Sequence, residues 1–191
     1  MAGHWGSVRV SVSKESWQAD EREIEAIVAG RHSNAFAFLG LHKVAGHWVL
    51  RAFVPHADTL NAFTLDGTPL GHMIPRHGGG FFEAKVDIKA LQPIRYEAKN
   101  AGGSWTVYDP YSFGPVLGPM DDYYIGEGSH LRLFDKMGAH EMEFEGIHGT
   151  HFAVWAPNAQ RVSVVGPWNE WDGRRHPMRN RQGVWEVFIP V

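Results

Sequence analysis

RAFVPHADTL at residues 51–60 and AVWAPNAQRV at residues 153–162 are two copies of one pattern. The shared positions lie 102 residues apart (155 − 53 = 102), and they are Phe53 with Trp155, Pro55 with Pro157, Ala57 with Ala159, and Leu60 with Val162. Farther along the chain, Phe82-Glu83 recurs as Trp185-Glu186 at an offset of 103 (185 − 82 = 103). The repeat predicts two related modules in one chain.

The second copy is shorter than the first. After Glu83 the chain continues through apolar positions that predict two or three further strands, at Val86, Ile94, Tyr96, Trp105 and Tyr108. After Glu186 only five residues remain. We therefore expect the second module to be incomplete, without a counterpart of residues 96–108.

Composition favours a folded protein with a neutral partner. Of the 191 residues, 43% are hydrophobic and 13% aromatic, which is enough apolar material for true cores. The net charge of −3 arises from 18 basic and 21 acidic residues spread along the chain, which argues against nucleic acid or a membrane surface as partner. The chain has no cysteine, and residues 1–12 lack a continuous apolar run. We expect a soluble, cytoplasmic protein without a signal peptide or membrane span.

Short strands separated by turn signals predict a mainly all-β fold. Strand-like runs cover residues 48–54, 60–65, 81–88, 95–99 and 104–108. Asp66-Gly67 is a strong hairpin signal, and the glycines at 78–80 read as a hairpin loop because no Lys-Ser/Thr follows them. We predict two tandem immunoglobulin-like β-sandwich modules, with a short amphipathic helix at residues 16–28.

Four segments follow from this pattern. They are an N-terminal helical segment (1–31), a first β-sandwich (32–112), a Gly/Pro/aromatic connector (113–140) and a second, truncated sandwich (141–191). The connector is rich in aromatic residues, unlike a disordered linker, and we expect it to pack across the modules. Within it, we predict a short helix that Ser129 caps and Gly138 ends.

Several strings resemble one enzyme family. YDPYSFGPVLGPMDDYYIGEGSHLRLFDKMGAHE at residues 108–141 is similar to the inter-module segment of bacterial glycogen branching enzymes, the 1,4-α-glucan transferases. FLGLH at residues 38–42 resembles the opening of that family's first sandwich. HFAVWAPNAQRVSVVG at 151–166 and NEWDGRRHPMR at 169–179 resemble its second, starch-binding-type sandwich. The chain departs from the family at Asn34-Ala35, where relatives carry Asp-Pro, and at Pro167-Trp168, where they carry Asp-Phe.

The resemblance implies a function for the parent enzyme. In that family, a catalytic (α/β)-barrel follows the second sandwich, cuts an α-1,4-glucan and transfers the cut chain to a 6-hydroxyl. We therefore expect this chain to be non-catalytic alone, to position α-glucan, and to pack against the missing barrel, without a cofactor. Two alternatives remain: a stand-alone carbohydrate-binding or regulatory module, or the accessory domains of a debranching or trehalose-forming enzyme. A generic adhesion module is disfavoured by the lack of cysteine and of a signal peptide.

Other motifs carry no expected chemistry. A retaining double displacement needs two carboxyl groups about 5 Å apart, one of them with a raised pKa. Asp121-Asp122 and the alternating acids at 141, 143 and 145 read instead as solvated surface. His148 and His151 fall on opposite strand faces and predict no metal site. Arginines 174, 175, 179 and 181 are diluted by nearby acids, so we expect no nucleic-acid site.

Glucan binding is the function that particular residues support. A sugar ring stacks its C–H face on a flat indole, while amide and carboxylate groups bind its hydroxyls. Trp155 and Trp185 occupy strand positions and are expected in the core. The candidate glucan-binding residues are Trp168, Asn169, Glu170, Trp171 and Asp172.

Overall fold

The computed structural model describes residues 15–191. The expectation of no signal peptide in residues 1–12 lies outside the described residues, as does most of the segment before the first helix. Neither α-helix of the described part is long and apolar enough to cross a membrane.

The first module has seven strands, which are β1 (Gly40–Val44), β2 (His47–Phe53), β3 (Thr59–Thr64), β4 (Pro69–His77), β5 (Phe81–Lys85), β6 (Ile94–Asn100) and β7 (Gly103–Tyr108). They pair antiparallel in the order β1-β2-β5-β4-β3-β6-β7. Strand β4 bends the sheet over, because Met73 pairs with β3 whereas Ile74 and Pro75 pair with β5, and the register shifts on both sides. The resulting sandwich encloses buried residues such as Leu50, Leu60 and Tyr96.

The second module has four strands, which are β8 (Gly138–Phe144), β9 (Ile147–Trp155), β10 (Arg179–Arg181) and β11 (Val184–Pro190). They form a sheet in the order β10-β11-β9-β8. This sheet repeats the arrangement of β4, β5, β2 and β1, and an isolated bridge between Ser163 and Pro177 stands where β3 pairs with β4. Residues 138–191 contain no counterpart of β6 and β7. The predicted fold class, mainly β with tandem sandwich modules, is confirmed.

The first helix starts later than predicted, and the second lies where the sequence predicts no helix. Helix α1 spans Glu21–Val28, five residues later than the predicted start, because the Asp20 side chain accepts from Arg22 N–H and caps it. Helix α2 spans Pro119–Glu127 and ends at Gly128, which has φ +70°. The helix predicted after Ser129 is wrong, since only one 3₁₀ turn forms there (Leu133–Asp135).

The repeat places equivalent residues on equivalent faces. Phe82 and Trp185 point into the sandwich core of their modules. Glu83 and Glu186 follow on the opposite face, where both are buried. In the first module that face is covered by α1 and by the apolar cluster of Ile24, Ile27, Phe38, Phe53 and Phe81. In the second module the connector covers part of that face, where Phe113 and Leu117 are buried.

The connector packs against the second module as predicted for two of its residues. Phe113 and Leu117 are buried, and the Phe113 ring lies 5.3 Å from that of Phe188. Tyr123 and Tyr124 of α2 are exposed instead. Direct contact between the modules comes from Arg174, which donates to Val28 O at 3.0 Å and stacks on Phe53. The two modules therefore share a packed boundary.

Candidate functional site

The five candidate residues lie on one turn of the second module, but they do not share one role. Asn169 is fully buried beneath the turn. Its Oδ1 accepts from Gly166 N–H, and its Nδ2 donates to Val164 O and to His176 Nδ1, all at 2.9 Å. All of its hydrogen bonds hold the turn together. Asn169 thus positions the turn and does not face solvent, contrary to a direct role in binding hydroxyls.

Two tryptophans project from this turn into solvent. Trp168 is 56% exposed and Trp171 is 67% exposed, which is unusual for so large an apolar side chain. The Trp168 ring folds back over Gly166 so closely that a Cβ atom at position 166 would overlap it. Trp171 N–H donates to Gly166 O at 3.0 Å. The turn therefore presents two indoles from a fixed backbone.

The backbone of the turn is strained. Glu170 and Trp171 both have left-handed φ angles, +58° and +59°. Such angles cost free energy for residues other than glycine and cluster at functional sites. The Glu170 carboxylate is exposed, and its oxygens lie 3.9 Å from Arg175 Nη1 and 3.7 Å from His56 Nε2 of the first module. Glu170 is the candidate acid that remains open to a ligand.

Asp172 serves the module boundary. Its carboxylate accepts from Arg174 Nη2 at 2.7 Å and from Arg174 Nε at 2.9 Å. These hydrogen bonds hold the pKa of Asp172 below its usual value. Because the same guanidinium bonds Val28 O, Asp172 braces the turn against α1. Its oxygens are engaged within the protein.

A neutral histidine supports the turn from below. Burial of the His176 ring, with the nearby charge of Arg175, lowers its pKa to about 4. The neutral ring keeps a lone pair on Nδ1 to accept from Asn169. The turn is therefore held by an uncharged network near neutral pH.

The turn forms one wall of a cavity of about 410 Å³ between the modules. This volume falls in the range of roughly 300–1,000 Å³ usual for small-molecule sites. The other wall is the turn after β2 and the β6–β7 hairpin. The residues that line the cavity include His56, Asn100, Trp105, Trp168, Glu170 and Arg175. Sequence reasoning missed the first-module wall, since nothing in the sequence links Trp105 to a turn 63 residues later (168 − 105 = 63).

The paired carboxylates do not form a catalytic pair. Asp121 is bound by His130, Lys136 and Gly118 N–H, and these outweigh the effect of burial and lower its pKa. Asp122 bonds Arg181. Both are half-buried ion-pair members, so the expectation of solvated surface is wrong for them. A general acid needs a raised pKa, and Asp121 has the opposite shift.

The remaining polar candidates are either exposed or engaged in hydrogen bonds within the fold. Glu145 accepts from Gly114 N–H, whereas Glu141 and Glu143 are exposed. His148 is exposed, and buried His151 bonds Glu186 at 3.0 Å. Within residues 15–191, no group of three or more His, Asp or Glu side chains is arranged to hold a metal ion.

Three of the clustered arginines are engaged inside the fold. Arg174 bonds Asp172, Arg179 donates to Phe113 O, and Arg181 pairs with Asp122 and Glu186. Arg179 also stacks on Phe36, 4.4 Å from its ring centroid. Arg175 alone lines the cavity. The cluster therefore forms no open basic patch.

The two strand tryptophans have opposite surroundings. Trp185 is buried, as predicted, and donates from Nε1 to Ala156 O at 2.9 Å. Trp155 is 54% exposed, so the prediction of a core position is wrong. The physical reason is the register: Val154 pairs with Trp185, which puts Trp155 on the opposite face beside α2. That face is only partly covered, and a cavity of about 190 Å³ remains between Trp155 and the connector.

Comparison with known proteins gives matches to both halves. Residues 20–111 match the family model of the N-terminal domain of α-1,4-glucan branching enzyme GlgB. Residues 136–191 match carbohydrate-binding module 48, the isoamylase N-terminal domain. The cavity is bordered by residues from both matched segments.

Individual relatives agree with these matches. The 1,4-alpha-glucan branching enzyme GlgB of Mesorhizobium japonicum is 60% identical over 185 residues, which are 96% of this chain and 25% of that protein. That of Rhizobium meliloti is 64% identical over 88% of this chain and 23% of its own length. That of Rubrobacter xylanophilus is 48% identical over 89% and 23%. The chain spans about a quarter of the length of these relatives.

Proposed function

We propose that this chain is the amino-terminal part of an α-1,4-glucan branching enzyme, with the N-terminal domain at residues 20–111 and a carbohydrate-binding module 48 at residues 136–191, and that it positions α-glucan for that enzyme. The proposed parent activity cleaves an α-1,4-linked chain and transfers it to a 6-hydroxyl in glycogen biosynthesis. The glucan contacts are Trp168, Trp171 and Glu170.

The observation that carries this proposal is the fixed pair of exposed indoles. Trp168 and Trp171 stand on a turn held by the buried amide of Asn169, within the segment that matches module 48. Sugar rings stack on indole faces, and a preorganised platform loses little entropy when it binds. Glu170 adds an exposed carboxylate that can accept hydrogen bonds from hydroxyls.

Retention on immobilised glycogen tests the proposal. We expect Trp171→Ala and Trp168→Ala to weaken retention while the melting temperature changes little, because both rings are exposed. Trp155→Ala is the matched control, since it removes another exposed indole on a different face. Retention of both turn variants at the wild-type level would reject this turn as the glucan site.

We propose that this polypeptide alone does not branch glucan. Asp121 and Asp122 are engaged in ion pairs, and Glu141 and Glu143 are exposed on β8, which supports this proposal. When amylose is incubated with this chain, its iodine stain should change no more than in a sample without protein. A reproducible stain shift would place catalytic groups within the chain.

The proposed partner within a longer enzyme is its catalytic barrel. Support comes from exposed apolar side chains on the connector and β9, namely Tyr124, Leu133, Phe134 and Trp155, the first, second and fourth of which border one cavity, and from relatives about four times as long. Serine at the position that corresponds to Phe134 in a full-length relative should lower the stability of that longer protein, whereas Phe134→Ser should leave the stability of the 191-residue chain nearly unchanged, because the ring is exposed there. Equal effects on both would argue against the contact.

We place the protein in the cytoplasm, in keeping with a chain that has no cysteine.

A further inference from the structure

We propose that the glucan binds between the two modules, so that the β6–β7 hairpin of the first module forms half of the site. This inference rests on the proposed function and adds to it a second wall of the binding site. The ligand class is a linear α-1,4-glucan chain.

The boundary between the two modules forms a cleft. The cavity of about 410 Å³ has Trp168, Glu170 and Arg175 on one side and Trp105 with the 100–104 turn on the other. A second cavity of about 550 Å³ adjoins it and shares Trp105, Trp168 and Arg175. Those three side chains therefore border both spaces. The cleft continues past the platform that the second module provides.

The walls of the cleft combine indole rings with polar side chains. Trp105 on β7 and Trp168 on the turn offer one indole from each module. Glu170, His56 and Arg175 supply an acceptor and donors beside them, with Glu170 Oε2 3.7 Å from His56 Nε2. A site with apolar faces and a few polar groups fits a sugar, which has an apolar C–H face and a hydroxyl rim. The larger cavity is lined mostly by apolar residues, including Val191, and is not assigned to the sugar.

Strained backbone angles occur in the turns that border the cleft. Six residues other than glycine have positive φ among those that the structure describes, and three of them occupy hairpin turns just before a glycine that also has positive φ. These three are Ala45, Glu145 and Gln182. The other three, His56, Glu170 and Trp171, are not in hairpin turns; the first two line the cavity, and Trp171 follows Glu170 in the same turn. Strain that the hairpins do not explain is thus concentrated at this cleft.

Side-chain hydrogen bonds hold both walls of the cleft in place. Asn100 Nδ2 donates to His56 O at 2.9 Å, and its Oδ1 accepts from Gly102 N–H at 2.8 Å. Asn169 fixes the opposite wall in the same way, by bonding Gly166 and Val164. Each wall is therefore held by one asparagine amide. Preorganised walls are expected of a binding cleft.

The test measures maltoheptaose affinity of the 191-residue chain by isothermal titration calorimetry. We expect Trp105→Ala and Trp168→Ala each to raise Kd roughly tenfold, as loss of a stacking aromatic does. Trp155→Ala, which removes an exposed indole outside the cleft, should leave Kd unchanged. If Trp168→Ala weakens binding and Trp105→Ala does not, the composite cleft is wrong while the proposed function stands. If the wild-type chain does not bind, both fail.

A second measurement avoids dependence on the folding of Trp105→Ala. Amide hydrogen exchange of the wild-type chain, with and without maltoheptaose, should slow in residues 100–105 and in residues 166–175 together. Protection confined to 166–175 would place the ligand on the second module alone. Protection in neither segment, with measurable binding, would move the site elsewhere and reject the cleft.

Discussion

Glu83 and Glu186 stand 103 positions apart (186 − 83 = 103) and hold the same place in their modules. Each is buried, and each accepts hydrogen bonds from the backbone that enters its module. Glu83 Oε2 accepts from Ala19 N–H at 3.0 Å, just before α1. Glu186 Oε2 accepts from Val116 and Leu117 N–H at 3.1 Å, just before α2. The repeat thus extends to the way in which a preceding helix is attached.

We predict that Glu186→Gln lowers the free energy of unfolding by about 3–5 kcal/mol, the cost of breaking a buried charge pair. Glutamine would leave His151 and Arg181 without their carboxylate. Glu83→Gln should cost a similar amount, because Arg51 and Arg76 surround Glu83. Urea denaturation measures both.

The control for this pair is Glu141→Gln, which removes an exposed carboxylate from the second module. It should change stability by less than about 0.5 kcal/mol. If Glu186→Gln were equally mild, the buried glutamate would not be the anchor of the connector.

The strand tryptophans give a second prediction. Trp185→Ala should lower stability by about 3–5 kcal/mol, because it empties a buried site and frees Ala156 O. Trp155→Ala should cost less than about 1 kcal/mol, since the ring is 54% exposed. Thermal unfolding of the two variants checks this difference. Equal losses would mean that the connector packs on Trp155 in solution.

How far the sequence predicts this molecule depends on the range of each interaction. The repeat predicts the equivalence of Glu83 and Glu186, and Asp66-Gly67 predicts its hairpin, because both are local patterns. Alternation separates the two faces of β9 but does not tell which face is buried. The sequence therefore predicts Trp155 in the core, whereas its side chain lies on the partly covered face. The sequence does not predict helix α2, because the glycines at 118 and 128 that flank it are typical of turns. The cleft joins residues distant in sequence, and no local signal pairs them.

Asp109 gives a pH prediction. Burial raises its pKa to about 7, and its Oδ2 has no hydrogen-bond partner among the described residues. The folded protein therefore holds a proton that the unfolded chain releases near pH 4, so stability falls as pH rises from about 4 to 7. Asp109→Asn removes this loss and keeps an oxygen for Tyr111 N–H. Relative to wild type, the variant should gain roughly 2–3 kcal/mol between pH 5 and pH 8.

Urea denaturation at the two pH values provides the measurement. Asp66→Asn is a suitable control, because Asp66 lies in an exposed hairpin turn and has a lowered pKa. A stability difference between Asp109→Asn and wild type that does not change with pH would show that Asp109 is ionised in the folded protein.

Gly166→Ala tests the glucan platform without removing an aromatic ring. The backbone at Gly166 is extended, with φ −174°, so alanine is tolerated there. Its Cβ would overlap the Trp168 ring, which must swing away into solvent. We expect maltoheptaose affinity to fall as it does in Trp168→Ala, while stability changes by less than about 1 kcal/mol because the ring is exposed. Gly126→Ala, at an exposed position of α2 where a Cβ meets nothing within 4 Å, is the matched control. Unchanged affinity in Gly166→Ala would mean that the ring's position over Gly166 is not the one that binds sugar.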